Sequence, residues 1–204
     1  YLHRRLNIWD NNADHYQALF KEGKIDYYEF CRRDALLWKG LNVSRVINIL
    51  QDIGYHKGSL EVTRALKKRG IFTIILSTGL SLLVEKVKED LGMDMALSNE
   101  LSSEGGRLTG EIKINVEFNK KGYLVEKILK EVGVGREEVC AIGDGEGDAG
   151  MFEAVGLAIG FHPHNSVSPF IHQKIYGESL IDMIRIIDDY ERKTASIRSQ
   201  TSCI

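Results

Sequence analysis

The run Val139-Cys-Ala-Ile-Gly-Asp-Gly-Glu-Gly-Asp-Ala-Gly-Met-Phe152 constrains the chain most: an apolar stretch ends abruptly in glycines and carboxylates. Val139 to Ile142, closed by Gly143, reads as a short buried strand, and Ala149 to Ala154 as the start of a helix. Asp144 and Asp148 are then held where a strand gives way to a helix. Ligands collect at such places in open α/β sheets, and paired carboxylates there suit a hard cation with oxygen ligands, with Mg²⁺ the expected one.

The remainder of the chain alternates in the same way. Ser59 to Arg69 spells an amphipathic helix stopped by Gly70, and Ile71 to Leu76 a strand buried on both faces that ends in Ser77-Thr78-Gly79. Ser81 to Leu91 predicts a helix, Met95 to Leu97 a short strand, and Leu101 to Ile114, with Gly105-Gly106, a β-hairpin. Tyr123 to Val132 predicts a helix, Leu157 to Phe161 and Lys174 to Tyr176 strands, and Leu180 to Tyr190 a closing helix. This βα rhythm predicts an α/β fold on a parallel sheet.

Residues 1 to 55 differ, carrying apolar residues at helical spacing in three short segments. Ser44 is the expected cap of the third, and Gly23, Gly40 and Gly54 mark segment ends. Trp9, Tyr27, Tyr28 and Trp38 read as the core of a small helical unit, or as an aromatic side facing a substrate. The expected division is a helical cap over 1–56, a core over 57–191 and a polar, frayed tail over 192–204.

With 27 Lys and Arg against 29 Asp and Glu, the net charge of −2 gives no reason to expect nucleic acid or a membrane surface as a partner. No apolar run reaches the roughly 18 residues that span a bilayer. Cys31, Cys140 and Cys203 fit neither a disulfide framework nor a zinc site, so a reducing cytoplasm is the expected compartment. Cys140 reads as a small core residue and His162-Pro163-His164 as a loop. A homodimer is left open.

Three groups stand at predicted strand ends or helix starts: Ser77-Thr78-Gly79, Lys121-Gly122 and the Asp144 loop. A hydroxyl and helix-start N–H groups suit phosphate oxygens, a lysine suits their charge, and carboxylates suit a bridging metal. Taken together they describe a phosphoryl-transfer site.

The order Ile-Leu-Ser77-Thr-Gly79, Asn-Lys-Lys121-Gly122 and Gly143-Asp144-Gly145-x-x-Asp148-x-x-Met151-Phe152 resembles motifs two, three and four of the haloacid dehalogenase (HAD) superfamily, in its phosphoserine phosphatase-like branch. The resemblance runs from about Gly58 to Ile187 and takes in Leu108-Thr109-Gly110, while Glu22-Gly23-Lys24-Ile25 resembles part of the branch's small cap. It implies a Rossmann-like core that hydrolyses a small phosphorylated metabolite through an aspartyl-phosphate. Ser77, with Thr78 and Gly79, would bind phosphoryl oxygens and Lys121 would neutralise charge. Asp144 would hold Mg²⁺, and Asp148 would help fix that ion or its waters.

The chain departs from the family in lacking the first motif, an apolar strand ending in Asp-x-Asp; Asp10, Asp14 and Asp94 do not follow a strand in that pattern. In the family this motif lies just before the cap, where Tyr1 begins. The expectation is therefore that roughly 15–25 residues, a strand and its loop, precede Tyr1 and supply the nucleophile. The alternative is a catalytically silent relative that binds a phosphorylated ligand or a partner. Asp34 stands, by counting, where phosphoserine phosphatases carry an arginine for the substrate carboxylate, which argues against phosphoserine, though Arg32 and Arg33 adjoin it. Gly147 replaces an asparagine.

Overall fold

The computed structural model describes residues 2–6 and 11–201, with the side chains of 11, 12 and 197–201 outside that description. Trp9, Asp10 and Cys203 therefore lie outside the described residues. Contacts gather the chain into two compact units, 1–54 with 73–117 and 55–72 with 118–204, which cut across the expected division into 1–56, 57–191 and 192–204.

The first unit opens with helices α1 (Leu2–Arg5), α2 (Asn11–Lys21), α3 (Tyr27–Leu36) and α4 (Val43–Gln51). Asp26 caps α3, its Oδ1 accepting from the Glu29 N–H at 2.7 Å. The cap of α4 is Asn42 rather than Ser44: Asn42 is extended and its Oδ1 accepts from the Arg45 N–H at 3.1 Å, which leaves Ser44 inside the helix. Strand β1 (Ile74–Leu80) leads into α6 (Ser81–Leu91), then β2 (Met95–Glu104) and β3 (Arg107–Lys113), while α5 (Ser59–Lys68) belongs to the second unit. The β2–β3 hairpin turns through Gly105 and Gly106, both at positive φ, as such a turn requires. Apolar residues four apart in α4, Val46 and Leu50, join Ala35, Trp38 and Leu108 in one core, with Leu82 and Leu83 of α6 against it. Tyr28, in the first turn of α3, is instead about half exposed, while Cys31 and Ala35 further along the helix are buried.

The second unit contains α5 (Ser59–Lys68), α7 (Lys121–Val132), β4 (Cys140–Gly143), α8 (Ala149–Glu153), β5 (Leu157–Phe161), β6 (Gln173–Ile175) and α9 (Asp182–Thr201). β5 is buried along its whole length. Leu157, Ile159 and Phe161 alternate onto one face against Val62 and Leu66 of α5 and Met183 and Ile187 of α9, each pair spaced by one helical turn. Burying side chains of this size contributes about 1.5–3 kcal/mol each. Ala158 is doubly tied to His172, donating its N–H to Nδ1 at 2.9 Å and accepting the His172 N–H at 2.9 Å. Helix α9 extends to Thr201, through residues read from sequence as a polar tail.

The parallel sheet is realised as two three-stranded sheets, β1-β2-β3 and β4-β5-β6, parallel except for β3. Among the described residues β1 pairs only with β2, and the expectation of a strand buried on both faces fails on its exposure. Its residues are at most half-buried, and Phe72 before it is 63% exposed. Cys140, expected in the core, is exposed at the first position of β4, where only the following Ala141 is buried.

Candidate functional site

In the second unit, β4 delivers the chain into a tight loop at Asp144 and Gly145, followed by a single 3-10 turn, Glu146–Asp148, that runs into α8. The Asp148 N–H closes that turn on the Gly145 carbonyl at 2.9 Å, pointing its side chain back at the loop. One carboxylate oxygen, Oδ2, accepts the N–H groups of Asp144 and Gly145 at 3.0 and 3.1 Å. The other, Oδ1, accepts from Nζ of Lys121 at 2.7 Å. Asp148 is 7% exposed, so these three bonds replace the water it has lost.

Lys121 reaches Asp148 because α7 and α8 touch at their starts. A Cβ on Gly122 would lie 2.4 Å from the Gly150 carbonyl oxygen, so the close approach needs a residue without one. Gly143 is fixed likewise, since a Cβ there would stand 2.4 Å from Asp148 Oδ2. A cation in the first turn of a helix opposes the helix dipole and asks for a nearby anion, and Asp148 is that anion. The departure at Gly147 also has a local reason: a Cβ there would meet the Phe118 ring at 3.1–3.2 Å.

Asp144 behaves differently. Its side chain is exposed and makes no hydrogen bond or ion pair among the described residues, while its carbonyl accepts the His164 N–H at 2.8 Å. The His162-Pro163-His164 loop thus anchors the Asp144 loop through its backbone. No group of three or more His, Cys, Asp or Glu gathers as a ready metal site among the described residues. A Mg²⁺ ion, which keeps most of its waters and takes one or two carboxylates, asks less than that, and the free Asp144 carboxylate fits it. Asp148 fits a direct ligand role less well, because both its oxygens are engaged.

In the first unit, Ser77, Thr78 and Gly79 fall within β1 where its register slips: Leu76 pairs with Leu97 and Leu80 with Asn99, four steps along β1 against two along β2. Ser77 Oγ accepts the Gly79 N–H at 3.0 Å, which leaves the hydroxyl proton to donate elsewhere. Helix α6 then begins with no side chain capping it, leaving N–H groups at its start for an acceptor oxygen.

A sequence profile described as haloacid dehalogenase-like hydrolase matches residues 4–153. The chain belongs to that family. Among its HAD relatives, the phosphoserine phosphatase of Methanocaldococcus jannaschii is 37% identical over 141 residues, 69% of this chain and 67% of that protein. The phosphoserine phosphatase of Archaeoglobus fulgidus is 34% identical over 166 residues, covering 81% of this chain and 48% of that protein, so the chain spans about half its length. Two solved structures are similar. A phosphoserine phosphatase as a phospho-aspartyl intermediate analogue has a TM-score of 0.76 at 30% identity, covering 86% of this chain and 85% of that one. A substrate-bound phosphoserine phosphatase complex has a TM-score of 0.79 at 29% identity, covering 91% and 88%.

Sequence reading of this HAD chain overlooked Gly150, Phe118 and Asn99. Asn99 is wholly buried in β2, and a short polar amide within a strand, where asparagine is disfavoured, is the signal that could have marked it. Asp34, at the counted arginine position, is part-buried with its carboxylate 3.5 Å from His3 Nε2, and burial pushes its carboxyl above the usual range.

Proposed function

We propose that this chain carries the phosphate- and metal-handling residues of a Mg²⁺-dependent phosphomonoester hydrolase acting on a small phosphorylated metabolite. The observation that carries the reading is the division of labour between two aspartates four residues apart: Asp148 is consumed in holding Lys121 and the loop, and Asp144 is left exposed and unpaired. Such an arrangement suits phosphoryl transfer, in which positioning and charge neutralisation do most of the work.

On this reading Asp144 holds Mg²⁺, and the ion when bound neutralises charge on phosphate oxygens. Lys121, ion-paired with Asp148, adds to that neutralisation. Ser77, with its proton free, donates to a phosphoryl oxygen, and the Thr78 and Gly79 backbone shapes the turn around it. The aspartyl-phosphate route is supported by family membership and by the similarity to the phospho-aspartyl analogue structure. Residues 1–56 are read as the cap that selects substrate. The relatives' names point to phosphoserine, and Asp34 beside His3 argues against it, so the proposal stops at a small phosphomonoester.

The test is hydrolysis of para-nitrophenyl phosphate and phosphoserine by the native protein with and without Mg²⁺, alongside Asp144→Ala. Mg²⁺-dependent turnover lost in the variant supports the reading. Equal turnover in the variant removes Asp144 from the metal, and phosphate binding without any turnover returns the catalytically silent alternative.

A further inference from the structure

We infer that Asn99 is the positioning residue of the Ser77–Gly79 segment, and that Tyr27 couples helix α3 to the same segment through it. The inference rests on the reading of Ser77 as a phosphate-binding residue and adds what holds that residue in place.

The register slip between Leu76 and Leu80 takes Thr78 out of the regular β1–β2 ladder. Its carbonyl needs a donor from elsewhere, and Asn99 Nδ2 supplies it at 3.0 Å. The same amide faces the Val116 carbonyl at 3.1 Å and the Tyr27 phenol oxygen at 3.0 Å, while Oδ1 accepts the N–H groups of Asn115 and Val116, both at 2.9 Å. Those two backbone donors fix which end of the side chain is oxygen. Asn99 is 0% exposed, so no water can stand in for any of these partners.

Tyr27 closes the network. Its phenol oxygen receives a hydrogen bond from Asn99 at 3.0 Å, and Cys31 follows one turn along α3. Burial pushes both groups up, Cys31 to about 11, so they stay neutral and the donor–acceptor order does not change at ordinary pH. Thr78 is thus held by its carbonyl, on the same amide that Tyr27 touches. Ser77, one residue before it, inherits its direction from that grip.

Two variants test this: Tyr27→Phe, which keeps the ring beside Phe20, and Asn99→Ala, which removes the hub. Inorganic phosphate is titrated into the full chain while the backbone amides of residues 77–80 are followed by NMR, with hydrogen exchange of Gly79 measured without phosphate. Tyr27→Phe is expected to weaken phosphate by about threefold to tenfold, the scale of one neutral hydrogen bond, and to speed Gly79 exchange. Exchange at Val46 and Leu50 in the core should not move, which a general loss of stability could not reproduce. Phosphate affinity within about twofold of the parent together with unchanged Gly79 exchange in Tyr27→Phe overturns the inference, even if Asn99→Ala fails to fold. A parent whose 77–80 amides ignore phosphate defeats the phosphate reading instead, and the positioning role is then decided by Gly79 exchange alone.

Discussion

Lys121 Nζ lies 2.7 Å from Asp148 Oδ1, with only 11% and 9% of the two side chains exposed, and the other oxygen of the same carboxylate holds two loop amides. The two partners therefore depend on each other unequally. Asp148→Asn strands a buried ammonium and disturbs the amides of Asp144 and Gly145, at a cost of about 3–5 kcal/mol. Lys121→Met costs less, because Asp148 keeps both amide donors. Urea unfolding of the two variants should rank them in that order, and equal losses would contradict the account.

Gly122 and Gly150 face each other across one backbone crossing but differ in what they tolerate. A Cβ on Gly122 meets the Gly150 carbonyl oxygen at 2.4 Å, whereas a Cβ on Gly150 comes no nearer than 3.5 Å to Gly122 N. Gly122→Ala should lower stability by about 1–3 kcal/mol through forced separation of the two helix starts. Gly150→Ala should be neutral or gain up to about 1 kcal/mol from helix propensity. Thermal melts of the pair read the difference directly, and similar shifts for both would show that the helices do not approach this closely.

Glu29 gives a pH signature to α3. Its carboxylate accepts from Arg32 and Arg33, which hold its pKa well below the ordinary 4.5, at about 2. A carboxyl with a lowered folded pKa stabilises fully above its unfolded value and loses that contribution as pH falls through the folded one. The contribution should therefore be intact above about pH 4.5 and gone below about pH 2, and a Glu29→Gln variant should show a flatter acid limb in melts across that window. A carboxyl titration midpoint near 4.5 in the NMR spectrum of the folded chain would rule this out.

The elements with strong local signals were readable from sequence: α6 begins and ends at Ser81 and Leu91 as its pattern predicts, and the Gly105-Gly106 hairpin turns where two flexible residues meet. The residues proposed to carry the chemistry stand out in the sequence, because Asp144, Asp148 and Lys121 sit in glycine contexts that few other uses require. What sequence could not show is which of two similar carboxylates is spoken for. That depends on α7 meeting α8 at Gly122, a contact between residues 28 positions apart that no local pattern encodes. Asn99 was illegible for a similar reason: its partners Tyr27, Thr78 and Val116 come from three separate stretches. The error over Ile71–Leu76 is of another kind, since apolar content alone does not fix whether both faces of a strand are covered, and Phe72 stays 63% exposed.

The strand buried end to end, β5, carries one further consequence. Amides at the middle of a covered sheet exchange only when the whole unit opens, so Ile159 and Gly160 should serve as clocks for the global unfolding of their unit. Ala158, beside them, donates to an imidazole nitrogen that can accept only while it carries no proton. Removing that acceptor in His172→Ala should release that one amide while its neighbours keep time, so that β5 records both the opening of the unit and the presence of a single side chain.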